Sequence, residues 1–181
     1  MEQKESQQPM KVLLRFDIEE FDVPREHGVD YSLEDGISVS VEGTARILSI
    51  LKKKHVKATF FCTGNFAAYA PEMIHRIIEE GHEVACHGMD HWRPKQTDVF
   101  QSKEIVERIS GTKCFGYRQP RMFPVDDKDI KKAGYLYNSS LNPAFIPGRY
   151  MHLTTPRTCF MKDGIYQIPA SVTPWFRFPL F

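Results

Sequence analysis

Two histidines stand four residues apart in His87-Gly88-Met89-Asp90-His91. In a helical turn, positions i and i+4 share a face, and two imidazoles there can grip one metal ion. Taken alone, the pair fits two surface histidines on a helix equally well. Far upstream, Asp17 and Glu19 are two apart, so in extended chain both carboxylates point the same way. One could bind the ion while the other stays free as a base, and Glu20 would point away. Glu19, Glu20 and Asp22 also fit a solvated acidic loop. Asp17, however, ends an apolar run, where a purposeless charge is costly. Two histidines and one carboxylate leave positions open for water and substrate, which is what a hydrolytic metal site needs. Arg118 also ends an apolar run. It could pair with Asp17, hold it ionised and aim it, or form an ordinary salt bridge at a rim.

The elements that must position these residues are legible in the apolar periodicity. Residues 11–16 (KVLLRF), 58–62 (ATFFC), 83–86 (EVAC), 114–117 (CFGY) and 135–137 (YLY) read as strands. Immediately after them come Asp17, then Thr63, then His87, then Arg118, then Asn138, Ser139 and Ser140. Residues 17–36 read as a polar, acidic loop. Residues 41–54, 71–80, 98–110 and 126–133 read as helices, with Pro71 at a start and Gly81, Gly111 and Gly134 just past ends. This alternation implies parallel strands joined by right-handed crossovers. All strand C-termini then open on one face, so the polar residues converge although they are far apart in sequence. Past Asn142 the pattern changes. Residues 159–161 and 165–168, joined by Lys162-Asp163-Gly164, read as a hairpin.

In this order the motifs resemble the polysaccharide deacetylase family, also called the NodB-homology or carbohydrate esterase family 4 domain. Arg15-Phe16-Asp17-Ile18-Glu19 is similar to its first motif and His87-Gly88-Met89-Asp90-His91 to its second. Phe115-Gly116-Tyr117-Arg118-Gln119-Pro120 is similar to the third, and Tyr137-Asn138-Ser139-Ser140 to the fourth. Lys57-Ala58-Thr59-Phe60-Phe61 looks like the second strand, and Glu80-Gly81-His82-Glu83-Val84 like the lead into motif two. The resemblance covers roughly residues 11–143. It implies an α/β fold, a distorted (β/α) barrel, and one divalent metal ion, zinc before cobalt or nickel. By resemblance Asp17 is the general base and Arg118 orients it, while Glu19, His87 and His91 are the metal ligands. The backbone N–H of Arg121, in the slot after Pro120, would stabilise the oxyanion, with Asn138 and Ser139 on the substrate side. The implied reaction is removal of an N-acetyl group from a sugar. Two rival readings are an allantoinase-like amidohydrolase acting on a non-sugar C–N bond and a catalytically silent metal-binding module.

Three departures qualify the match. Glu19 stands where aspartate is commoner, so the ligand could be Glu20 instead. Asn138 replaces an acidic residue. The fifth motif, an apolar strand followed by histidine, is missing, and His152 lies too early to replace it. With five alternating strands and a hairpin against the roughly seven or eight strands of a closed barrel of this type, the domain over residues 11–181 is expected to be incomplete at its C-terminus. It should bind metal yet catalyse poorly or not at all.

Composition bounds the rest. The 181 residues suit one domain, and a formal net charge of +1 offers no field for nucleic acid. No apolar run is long enough to span a bilayer. Residues 1–10 read as a disordered polar leader without the apolar stretch of a signal peptide, so a cytoplasmic protein is expected, one that meets a small or lipid-linked N-acetylated sugar. Cys62, Cys86, Cys114 and Cys159 form no Cys-x-x-Cys pair, and free buried thiols are expected. Nothing in the sequence specifies an oligomeric state.

Overall fold

The computed structural model describes residues 12–180; the expected leader and Lys11 lie outside them. Five strands run parallel and pair in chain order: β1 (Arg15–Ile18), β2 (Thr59–Cys62), β3 (Glu83–Cys86), β4 (Gly116–Tyr117) and β5 (Tyr137–Asn138). Helices fill the crossovers. α1 (Val23–Glu26) and α2 (Leu33–Lys54) follow β1, α3 (Gly64–Tyr69) and α4 (Pro71–Glu79) follow β2, α5 (Asp98–Ser110) follows β3, and α6 (Asp127–Lys132) follows β4. A small antiparallel pair, β6 (Phe145–Ile146) and β7 (Tyr150–Met151), comes next. The final hairpin is β8 (Phe160–Lys162) and β9 (Ile165–Gln167), turning on Asp163 and Gly164, both at positive φ as a tight hairpin requires. β9 pairs parallel with β5, so the hairpin extends the main sheet to the order β1-β2-β3-β4-β5-β9-β8. Among the described residues β1 and β8 do not pair, so the barrel is open.

Strand alternation sorts side chains onto two faces. Phe16, Ile18, Phe60, Val84 and Tyr117 turn outward and join Leu48 and Leu51 of α2, Ile74 and Ile77 of α4, Val99 and Val106 of α5 and Ile130 of α6 in one core. Phe16 stacks on Phe60 with ring centroids 5.3 Å apart. The opposite, inner face carries Arg15 and Asp17 of β1, which are not in that cluster. The sheet curls enough for Arg15 to donate to Ser139 Oγ at 2.6 Å and to the carbonyls of Ile168 and Pro169 at 3.0 Å. That contact joins the first strand to the far side of the sheet.

Several boundaries differ from the sequence expectation. Asp17 lies within β1, not after it, because the strand runs on past Phe16 to Ile18. The acidic stretch 17–36 is not all loop. α2 starts at Leu33, where Ser32 Oγ accepts the Asp35 N–H at 3.0 Å and caps the helix. Gly36 then lies so close to Phe21 that a Cβ would sit 2.8 Å from its carbonyl oxygen, and Phe21 N–H donates to Gly36 O at 3.2 Å. The missed α3 is capped by Thr63, whose Oγ1 accepts the Phe66 N–H at 3.1 Å. Cys62, Cys86 and Cys114 are free and buried, and Cys159 is free but exposed. Among the described residues no helix is long and apolar enough to cross a membrane.

On the inner face the Tyr137 ring lies against Gly116, where a Cβ would meet Cζ at 1.9 Å. The ring is held by its hydroxyl, which donates to Glu83 Oε1 at 3.0 Å. Overpacking of this kind costs about 1–3 kcal/mol, so Gly116→Ala should lower the urea midpoint without changing the slope. An unchanged midpoint would show that the ring swings away freely.

Candidate metal centre

The residues that could do chemistry are fixed at the strand ends by one repeated bond. The N–H of Thr63 donates to Ile18 O at 3.2 Å, that of His87 to Cys62 O at 2.8 Å and that of Arg118 to Cys86 O at 2.9 Å. Ser139 donates to Tyr117 O and Ile168 to Asn138 O, each at 2.8 Å. Each residue is the first past its strand, and each is held by the last residue of the strand before it. Their side chains therefore sit at one level of the sheet.

At that level Glu19 lies between the two histidines. Its Oε2 is 3.1 Å from His87 Nε2 and its Oε1 is 3.4 Å from His91 Nε2. One donor atom from each of the three falls within 4.8 Å of the others. The opposite ring nitrogens are engaged: His87 Nδ1 lies 2.8 Å from Arg118 O, and His91 Nδ1 lies 2.9 Å from Asp22 Oδ2. With Nδ1–H donating in each ring, the Nε2 lone pairs face Glu19. Glu19 Oε2 and His87 Nε2 are buried and have no hydrogen-bond partner. Two bare acceptors that close repel each other unless a cation or a proton lies between them, so this donor set fits a divalent metal. Burial disfavours a charged His87. The Asp17 and Glu19 carboxylates and the Arg118 carbonyl outweigh it, and its pKa lies above the ordinary imidazole value.

The His-x-x-x-His spacing does not form a helical turn. Residues 87–92 are loop, and Gly88 turns the chain at φ +68°, with the two rings 5.8 Å apart. The N-terminus of α3 holds that loop: Gly64 N–H donates to Gly88 O at 2.8 Å and Asn65 N–H to Met89 O at 3.0 Å. Glu20 holds it from the other side. Its buried carboxylate accepts from the His91 N–H at 2.8 Å and from the Thr63 hydroxyl at 2.7 Å, and burial raises its pKa. Glu20 thus faces the loop backbone, and Glu19 faces the imidazoles.

Arg118 is buried under the inner face, its guanidinium 4.2 Å from the centroid of the Phe61 ring. It donates from Nη1 to Asp17 Oδ1 at 2.5 Å and from Nη2 to Ser139 Oγ at 3.0 Å. Asp17 Oδ2 is left facing His87 Nε2 at 4.0 Å. Pro120 packs beside Gly88, and Arg121 follows at φ 57°. The Arg121 side chain turns back to Glu26, Asp22 and the His91 carbonyl. Asn138 is not beside the imidazoles. Its amide donates to Asp127 at 3.0 Å, and its Oδ1 accepts from the Ser140 hydroxyl at 2.6 Å. Ser140 Oγ in turn accepts the Gln119 N–H at 2.8 Å, so Asn138 braces the turn that carries Pro120. The sequence reading missed the roles of Glu20, Asp22 and Thr63, since their residue types also suit an exposed loop. The only signal was their closeness to Asp17 and to a strand end.

A family model described as polysaccharide deacetylase matches residues 22–125. A peptidoglycan deacetylase of Helicobacter pylori is 30% identical over 115 residues, covering 59% of this chain and 39% of that protein. A crystal structure from Mycobacterium smegmatis, assigned to the polysaccharide deacetylases, superposes with a TM-score of 0.65 at 26% identity, over 88% of this chain and 58% of that one. The Puue allantoinase superposes with a TM-score of 0.64 at 17% identity, over 88% and 61%, a likeness of fold alone. The chain thus spans only part of the length of each.

One divalent cation per chain is the expected stoichiometry, lost in His87→Ala. A cation needs neutral imidazoles, so its affinity should fall as pH drops through the raised pKa of His87 and recover above it. Chelator-competition titrations across pH would measure this, and an affinity independent of pH would remove His87 from the ligand set.

Proposed function

This chain belongs to the polysaccharide deacetylase family, and on that premise we propose that it hydrolyses the acetamide of an N-acetylated sugar at the Glu19–His87–His91 centre. The observation that carries the reading is the unpartnered pair of Glu19 Oε2 and His87 Nε2 beside a carboxylate already committed to Arg118. Two imidazole nitrogens and one carboxylate oxygen suit zinc, with cobalt and nickel as alternatives. When bound, such an ion polarises an amide carbonyl and makes water more acidic.

The protein's own residues supply the remaining steps. Arg118 holds Asp17 as a carboxylate and fixes Oδ1, leaving Oδ2 directed to the same space as His87 Nε2. Asp17 takes a proton from water as its oxygen adds to the acetamide carbon. The proton that Asp17 has taken passes to the leaving nitrogen as the C–N bond breaks, giving the free amine and acetic acid, which ionises to acetate. The backbone N–H of Arg121 is the candidate donor to the developing oxyanion. Its place rests on the turn that Gly88, Pro120 and Ser140 pack against. Because the Helicobacter pylori relative is named for peptidoglycan, N-acetylated amino sugars are the first substrates to assay.

Acetate release from N-acetylglucosamine oligomers, run beside ureide hydrolysis of allantoin, separates this reading from an allantoinase-like one. Activity on allantoin alone would overturn it. Asp17→Asn should cut acetate release by about 10²–10⁴-fold while the protein keeps its cation. Loss of the cation in that variant would make Asp17 a ligand and not a base.

A further inference from the structure

We infer that Asp22 is a positioning residue, which aims His91 at the cation and ties that ligand to the turn carrying Arg121. The inference rests on Glu19, His87 and His91 being ligands. Asp22 precedes α1 at its N-cap position, where an aspartate ordinarily accepts a backbone N–H of the helix it starts. Here its side chain makes no cap bond. Instead Oδ2 lies 2.9 Å from His91 Nδ1 and 3.2 Å from Arg121 Nη2, and the carboxylate is 4% exposed. A buried carboxylate turned away from its own helix needs another purpose, and these two contacts supply it.

The two histidines differ in what holds them. His87 is 1% exposed, and its Nδ1 meets a peptide carbonyl. His91 is 15% exposed on a loop, so packing alone confines it less. A carboxylate on Nδ1 fixes the tautomer and ring angle that point Nε2 at Glu19, and it makes the ring a better donor. Arg121 offsets the charge of Asp22, which would otherwise be buried unpaired. The same guanidinium reaches Glu26 at 2.5 Å and the His91 carbonyl at 3.3 Å and lies over the Trp92 ring. One carboxylate oxygen therefore joins the loops after β1, β3 and β4. Arg121, at φ 57°, is held in a conformation that side chains rarely adopt, and its anchored guanidinium helps to keep it there.

The test is the zinc affinity of the full chain, measured by chelator competition for wild type, Asp22→Ala, Asp22→Asn and His91→Ala. Asp22→Ala should bind zinc about 10–100-fold more weakly, and Asp22→Asn, which keeps an acceptor oxygen in place, should recover part of that loss. The metal-free melting temperature separates misfolding from misaiming. If Asp22→Ala does not fold, Asp22→Asn decides: weaker zinc binding at an unchanged metal-free melting temperature supports the role. Wild-type zinc affinity in a folded Asp22 variant, with zinc lost in His91→Ala, would overturn the positioning role and leave the ligand reading standing. Wild-type affinity in His91→Ala would instead remove the ligand reading and this inference with it.

Discussion

The centre depends on the register of a parallel ladder at its C-terminal end. Thr63, His87, Arg118 and Ser139 each donate a backbone N–H to the last residue of the preceding strand. Four side chains from four separate crossovers are thereby set level by the backbone, and Arg118 then donates to Ser139 Oγ across that level. Slipping one strand by a residue would turn its functional side chain to the helix face, because strand side chains alternate. The chemistry is thus held by the backbone first, and side-chain contacts only refine it.

That refinement is a matter of charge. The inner face gathers Arg15, Asp17, Glu19 and Arg118, and burying such groups is tolerable only when they are paired. Arg118 takes Asp17, and Arg15 takes Ser139 and two carbonyls. Glu19 lies between the Nε2 atoms of His87 and His91, with no hydrogen-bond partner for its Oε2. A second polar set stabilises the far side: Asp127 accepts from Asn138, Gln167 and Lys162 and so ties α6 to β5 and to the β8–β9 hairpin. Burial works against its charge, yet those three donors hold its pKa below the usual carboxylate value.

Much of this was legible in the sequence, for physical reasons. β3 and α5 fall where the apolar pattern put them, and the hairpin expected across Lys162-Asp163-Gly164 forms, with Lys162 in its first strand and the turn on Asp163 and Gly164, since each signal is local. The gathering of Asp17, Glu19, His87, His91 and Arg118 on one face also followed from the strand–helix alternation alone. What escaped depends on tertiary contact. The first turns of α2 are polar and contain Gly36, and the glycine is there for the approach of Phe21. Glu20 and Asp22 look like surface acids until Thr63, His91 and Arg121 are brought against them. The histidine spacing suggested a helix because it ignored Gly88, whose positive φ bends the chain instead. The parallel pairing of β9 with β5 is a long-range match that no local pattern announces.

The most direct measurement is the position of zinc in a crystal of the full chain, located by anomalous diffraction at its absorption edge. A single peak is expected about 2.0–2.1 Å from Nε2 of both His87 and His91, with one oxygen of Glu19 bound and Asp17 still paired to Arg118. A peak coordinated by Asp17 or Glu20, or Arg118 turned away from Asp17, would contradict the division between ligands and base.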